Sequence, residues 1–391
     1  MPVTIPAGAC PVCGGARLDE FLRLDGVPVH QHVVYTDAAA ARAIDRGDLA
    51  MRMCAGCGFV FNAAFDPAKI AYDGNYESTQ AHSPSFTDYL ADLAHRLDGH
   101  SRPHHVVEIG CGDGAFLRLL ARNTAITGLG IDPGYRGRAS DCDGRLRFER
   151  RWFDDAGAAG PPADLAICRH VIEHAPDPLG LLRAIRSALD ETRAPRLYLE
   201  TPCVEWMLAN HVIWDWFYEH CSLFSAASLG AAAVRAGFAI GTIRHAFGGQ
   251  YLAIEAAPRA GTAAPSASAI DTSRPLALAR AFGAAFETKR TAWRARLREL
   301  AGRGPVAVWG AGAKGATFVN LVDPEAQAIE CLIDLNPNKQ GRFAGGTGHP
   351  IAAVEALRAR DVRTVILMNP NYRAETARIL AREGLAPEVI E

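Results

Sequence analysis

The chain has 391 residues, too many for one ordinary core, and its 41 basic and 43 acidic side chains are mixed along it, so two or three domains and no nucleic-acid partner are expected. The first residues lack a charged start followed by an apolar stretch, and the longest weakly polar run, Leu223 to Ile243, contains Arg235 and too little apolar bulk for a membrane span. Ten cysteines in such a chain point to metal or chemistry rather than disulfides, and to a soluble cytoplasmic protein without a membrane partner.

In chain order, Cys10 to about Phe65 reads as short strands and turns, and Pro67 to about Gly99 as a mainly helical connector. From His104 to about Ala256, β-like runs alternate with helical ones: Val106–Ile109, Ile126–Ile131, Leu146–Arg150, Leu165–Cys168, Arg196–Glu200, then Phe238–His245 and Tyr251–Ala256. Such alternation predicts a doubly wound α/β sheet, with the last two runs an antiparallel hairpin at one edge. Ala257 to Pro275 has linker composition, Leu276 to Leu300 is one long charged helix, and a second βα unit opens at Pro305–Trp309, with strands at Ile329–Ile333 and Val365–Met368. The expected division is 1–66, 67–257 and 258–391.

Cys10-x-x-Cys13 and Cys54-x-x-Cys57, each beside glycines, are two knuckles that can turn four thiolates toward one point. Four cysteines complete a tetrahedral zinc site and leave no open position, which makes the site structural. This gives the first segment a zinc-binding module.

Val106 to Gly114 runs from a buried strand through Glu108 into Gly110, Gly112, Asp113 and Gly114, then into an apolar helix. The turn lacks the GxGxxG spacing that cradles a pyrophosphate, and a diphosphate would meet two acids. A cationic nucleoside without phosphate, such as S-adenosylmethionine, suits it better, and the run resembles motif I of class I methyltransferases. The alternative is an NAD-type domain, against which the missing spacing counts. Asp132, at the next strand end, is placed for ribose hydroxyls, and Trp152 and Phe153 offer an aromatic shelf for adenine. Arg169, His170 and His174 follow the fourth strand and should face the sulfonium.

Val306 to Gly315 does fit GxGxxG, with Asp334 at a second strand end. Lys314 inside this turn, with Asn336 and Lys339 beyond it, suits an anionic group held at helix N-termini. A phosphate, a sugar-nucleotide diphosphate, NAD or no ligand at all remain open there. For chemistry, Glu219 and His220 in Trp214-Asp-Trp-Phe-Tyr218-Glu-His220 form a polar pair among aromatics after the fifth strand, where a base titrating near neutrality is expected. His174 is a weaker candidate, and His30, His32 and His245 read as satisfied structural histidines. Tyr72 and Tyr76 lie in a polar aromatic turn suited to cover the cofactor and donate to an oxyanion.

These features, taken in this order, resemble the three-part sugar C-methyltransferase family across nearly the whole chain. The four cysteines, the turn with Tyr72 and Tyr76, Val106 to Gly114, His170 to His174, Glu219-His220, Trp309 to Gly315, Asn336 to Gly341 and Met368-Asn-Pro-Asn371 each match a family segment. The resemblance implies a class I methyltransferase sheet between a zinc module and a C-terminal Rossmann-like domain, with S-adenosylmethionine as cofactor and zinc as structural metal. It implies C3 methylation of a nucleotide-linked 4-keto-deoxysugar. His220 would be the base, with Glu219, His174, Tyr76 and Tyr218 beside it, and Lys314, Asn336, Lys339, Asn369 and Asn371 on the substrate side. Family members carry a tyrosine two residues before the Glu; here Phe217 stands there and Tyr218 follows. O- or N-methylation of a sugar or secondary metabolite is the alternative.

Overall fold

The computed structural model describes residues 8–70, 76–101, 104–122, 124–153, 162–259 and 271–391. Its centre is an eight-stranded sheet in the spatial order Phe238–Ala246, Tyr251–Pro258, Arg196–Pro202, Leu165–Arg169, His105–Ile109, Thr127–Ile131, Leu146–Glu149, Ser140–Asp141. The five strands from Arg196–Pro202 to Leu146–Glu149 run parallel, and the strands beyond them on both sides pair antiparallel. Continuous apolar runs such as Val106-Val107 and Leu165-Ala166-Ile167 form these central strands because helices cover both of their faces. Helix Ala115–Arg122 shows the pattern: Phe116, Leu117, Leu120 and Ala121 are buried on one side.

The chain leaves strand His105–Ile109 toward one side of the sheet and strand Leu165–Arg169 toward the other. A crevice therefore opens between their carboxyl ends, where open α/β sheets hold ligands. A second, five-stranded parallel sheet repeats the arrangement: Ile351–Ala352, Ile329–Ile333, Val306–Trp309, Thr364–Leu367, Glu388–Ile390.

The first module is a four-stranded antiparallel sheet, and its membership is a surprise. Leu18–Pro28, Arg46–Cys54 and Val60–Asn62 are completed by Ser222–Leu223, which begins two residues after His220. A second crossing pairs Val34–Tyr35 with Phe343–Ala344. Two-residue strands carry no periodicity of their own, so neither pairing could be read from sequence. The apolar interiors are likewise continuous: Leu49 and Met51 of the first sheet, Phe282 and Phe286 of the long helix and Val306 and Phe318 of the last domain share one core. That helix, Ser273–Arg303, packs so close to the first sheet that a Cβ on Gly283 would lie 2.0 Å from the Phe21 carbonyl oxygen.

The connector is mainly helical among its described residues, as expected. It holds a short turn at Pro67–Lys69 and helix Pro84–Ser101, with residues 76–83 between them non-helical and tied down by a bridge from Tyr76 to Val33. Tyr72, Asp154 and linker residues 260–270 lie outside the described residues. Among the described residues no helix is long and apolar enough to cross a membrane.

Candidate active site

The four cysteines converge. Sγ of Cys10 lies 3.6 Å from that of Cys57 and Sγ of Cys13 lies 3.4 Å from that of Cys54, with all four within 4.8 Å of one another and none in a disulfide. A zinc ion with bonds of about 2.3 Å sets tetrahedral sulfurs about 3.8 Å apart, so the donor set fits that metal. The amides of Gly15 and Gly56 donate to Cys13 and Cys54 Sγ at 3.4 Å, the support that thiolates need.

At the crevice of the large sheet, Gly110 and Gly112 have φ of 69° and 55°, and a Cβ on Gly110 would sit 2.1 Å from Val171. Only glycine fits there. Asp132 accepts from the amides of Gly112 (2.9 Å) and Gly134 (2.7 Å), leaving further lone pairs for hydroxyls. Gly110, Gly112, Asp113, Asp132, Trp152, Phe153, Arg169 and His170 all line one cleft of about 1590 Å³. Trp152, 60% exposed, presents an aromatic face at the cleft.

Glu108 and Gly114 are not on that lining. Glu108 is buried beneath the turn, and burial, against the pull of Arg169, pushes its carboxyl up to about 8. A Cβ on Gly114 would meet Phe148, so this glycine serves packing. Of the acids around this first glycine turn, Asp113 and Asp132 face the cleft, and the expectation that Glu108 contacts the ligand gives way to a role underneath it.

Below Arg169 and His170 lies a buried charge cluster. Arg169 is 3.3 Å from Glu200, whose carboxylate also accepts from the hydroxyls of Tyr198 and Tyr89. Burial disfavours a charged His170, but Glu173 and Glu200, at 3.3 and 3.1 Å, outweigh it and raise its pKa to about 9. Its φ of 53° turns the ring toward Tyr251 at the cleft, 4.4 Å between centroids.

The second histidine pair faces this cradle. His174 and His220 line the cleft with ring centroids 4.9 Å apart, and Ser222 Oγ donates to the Ala175 carbonyl at 2.7 Å, joining the two segments. Burial, then the neighbouring His174, His170, His32 and Lys314, hold His220 well below the usual imidazole range, so it keeps a free lone pair. Glu219 is buried beside it. Desolvation raises its carboxyl to about 7, while the Gln31 amide (3.0 Å to Oε2) and Tyr76 draw it down. Tyr76 lines the cleft.

Tyr218 does not join them. Its ring packs on Phe65 in the first module and its hydroxyl accepts from the Asp66 amide at 2.8 Å, in a turn closed by the His220 amide on the Phe217 carbonyl at 3.2 Å. The tyrosine one residue later than the family's is thus a core residue, and Phe217, against His220 at 4.8 Å, is the one that borders the cleft.

The second glycine turn opens on the same cleft. Asp334 repeats the geometry of Asp132, accepting from the amides of Ala311 (2.9 Å) and Asn336 (2.8 Å). Its companion differs: where Asp132 neighbours Asp113, Asp334 has the buried amine of Lys339 at 3.9 Å, which also donates to the Ala311 carbonyl at 3.1 Å. The first turn suits a cation and the second an anion. Lys314 lines the cleft, ion-paired with Asp215 and above Trp206 at 5.6 Å. Asn336 is buried at the lining and reaches Glu77 at 3.4 Å. Asn369, also at the lining, exchanges hydrogen bonds with Gln250 at 2.7 and 3.2 Å. Asn371 stands off it: its amide donates to the Phe247 carbonyl at 2.8 Å, clamping the last domain to the hairpin turn, so a substrate contact is not where the structure puts it. Sequence reasoning missed Asp215, whose setting between two tryptophans was the available signal, and His32, which had none.

Residues 81–242 match the family model of a methyltransferase domain, and residues 267–384 match that of a C-methyltransferase C-terminal domain. The chain is similar to the ubiquinone biosynthesis O-methyltransferases of Sodalis glossinidius (29% identity over 118 residues, 29% of this chain and 46% of the relative) and Aeromonas salmonicida (28% over 120 residues, 29% and 48%). The chain spans about half the length of the curated relatives it matches. Among solved structures, a partial likeness extends to 1,6-didemethyltoxoflavin-N1-methyltransferase of Burkholderia thailandensis (15% identity, 45% of this chain and 81% of that one, TM-score 0.34), a score at which it adds no weight. The chain thus joins a methyltransferase domain to a C-methyltransferase C-terminal domain.

Proposed function

We propose, on the premise of these two joined domains, that the protein is an S-adenosylmethionine-dependent C-methyltransferase acting on a nucleotide-linked keto-deoxysugar. The observation that carries the reading is the shared cleft: a glycine turn flanked by acids, a neutral histidine pair and a lysine-bearing glycine turn all open on one volume. The cofactor, when bound, supplies an electrophilic methyl group. Gly110, Gly112, Asp113 and Asp132 would hold it, Trp152 and Phe153 would cover its adenine, and Arg169 and His170 would border its methionine end.

A carbonyl on the acceptor acidifies the neighbouring C–H. His220, held neutral, takes that proton, and its basicity rises as negative charge develops beside it. Tyr76 and His174 donate hydrogen bonds to the enolate oxygen. Glu219 sits behind them as a carboxyl titrating close to neutrality. Lys314, Lys339 and Asn336 lie where the nucleotide phosphates would be met, with Asn369 fixing the wall beside them. The four cysteines would hold a structural zinc that shapes the strand adjoining His220.

Proton abstraction separates this reading from its rival. In deuterated water with S-adenosylhomocysteine, wild-type protein should exchange the hydrogen next to the carbonyl of dTDP-4-keto-6-deoxyglucose. His220→Asn should lose that exchange while its affinity for S-adenosylhomocysteine stays within about threefold. Turnover that survives the substitution would remove His220 as the base. The similarity to O-methyltransferases favours a second reading, transfer to oxygen or nitrogen, which a wild-type protein that methylates without any carbon exchange would support.

A further inference from the structure

His32 lines the cleft although it belongs to the zinc module. The segment around it is fixed from both sides. The Gln31 amide donates to Glu219 at 3.0 Å, the Glu77 amide donates to the His32 carbonyl at 3.0 Å, and Val33 bridges to Tyr76. The ring rests edge-on against Tyr76, centroids 5.4 Å apart. On its other side is the second glycine turn, since a Cβ on Gly312 would come to 3.9 Å from His32 Cε1. The imidazole thus stands midway between the His220 region and the turn that carries Lys314.

Two properties of the ring point to a ligand. Nδ1 is enclosed and has no hydrogen-bond partner among the described residues, so the ring's free capacity for a ligand lies at the edge that lines the cleft. Burial, with Lys339 and His174 nearby, outweighs a backbone contact from Glu77 and holds the pKa at about 3, so the ring is neutral throughout the working range. A hydroxyl can answer either nitrogen tautomer, whereas a carbonyl answers only one.

We propose that His32 is a substrate-binding residue whose imidazole hydrogen-bonds to a hydroxyl of the acceptor's sugar ring, between the reacting carbon and the anionic group. This rests on the nucleotide-sugar reading above. It makes the zinc module part of the substrate site rather than a remote scaffold.

Calorimetry with dTDP-glucose and with dTDP, both in the presence of S-adenosylhomocysteine, tests it. His32→Phe keeps the ring's shape and removes its polarity; it should weaken dTDP-glucose about tenfold and leave dTDP unchanged. His32→Asn, which keeps a donor and an acceptor, should recover most of the loss and serves if the Phe variant loses its zinc or its fold. Equal affinity of wild type and both variants for dTDP-glucose would overturn the role of His32 alone. A wild-type protein that binds S-adenosylhomocysteine but neither nucleotide would overturn the nucleotide-sugar reading, and this inference with it.

Discussion

At the scale of single residues, three buried groups hold a proton in the folded protein that the unfolded chain would have given up. Glu108 is raised from 4.5 to about 8 and Glu219 to about 7, both by burial, while the carboxylates around His170 lift it from 6.5 to about 9 against burial. Each contributes stability that is complete below its ordinary pKa and is lost as pH rises through its folded value. The melting temperature should therefore fall between pH 6 and pH 9, by about 5 °C or more. Glu108→Gln should flatten that slope, since the amide has no proton to lose. A variant as steep as wild type would exclude Glu108 as a source. The same carboxyl links to the cofactor: a sulfonium above it favours the ionised form, so calorimetry in buffers of different ionisation heat should register proton release with S-adenosylmethionine and less with S-adenosylhomocysteine, whose sulfur is uncharged.

At the scale of elements, the two strand–glycine–helix turns look alike in sequence and differ in tolerance. Gly315 cannot be replaced, because a Cβ there would lie 1.9 Å from the Gly310 carbonyl oxygen and would force the helix off the strand. Gly312 has nothing closer than His32 at 3.9 Å. Gly315→Ala should cost about 2 kcal/mol or more in urea denaturation, and Gly312→Ala under about 1. Equal costs would mean that the turn is looser than described. The elements themselves were legible wherever a run was long and apolar. Val106–Ile109 and Ile329–Ile333 are strands within a residue of expectation, and Leu276 to Leu300 extends only to Ser273–Arg303. The helical character of the connector was legible, but not the bridge of Tyr76 to Val33, a contact between distant segments. Glycine spacing located both turns, but it could not say that Gly114 faces Phe148 rather than the cleft.

At the scale of the whole molecule, the cysteine spacing foretold a convergent thiol site but not what it supports. Gln31 and His32 lie on the loop of that module, so the site reached through Glu219 depends on a fold some distance away. Stripping metal with a strong chelator should lower the melting temperature by about 10 °C and abolish turnover, with both restored by zinc. A chelated protein that melts unchanged would argue against a metal at these cysteines. Tyr218 shows the limit of reading one residue at a time. Its neighbours Glu219 and His220 follow it through a turn that leads into the strand pairing with residues 60 and 61, and the phenol leaves that turn toward the Asp66 amide.

That pairing also bears on synthesis. Val60 finds its partner in Leu223, so the ribosome must deliver more than half of the chain before the opening sheet can close. Until then the Val60–Asn62 edge is bare, a nascent surface exposed to mispairing. A fragment that stops short of Leu223 should accumulate in inclusion bodies even when zinc is abundant.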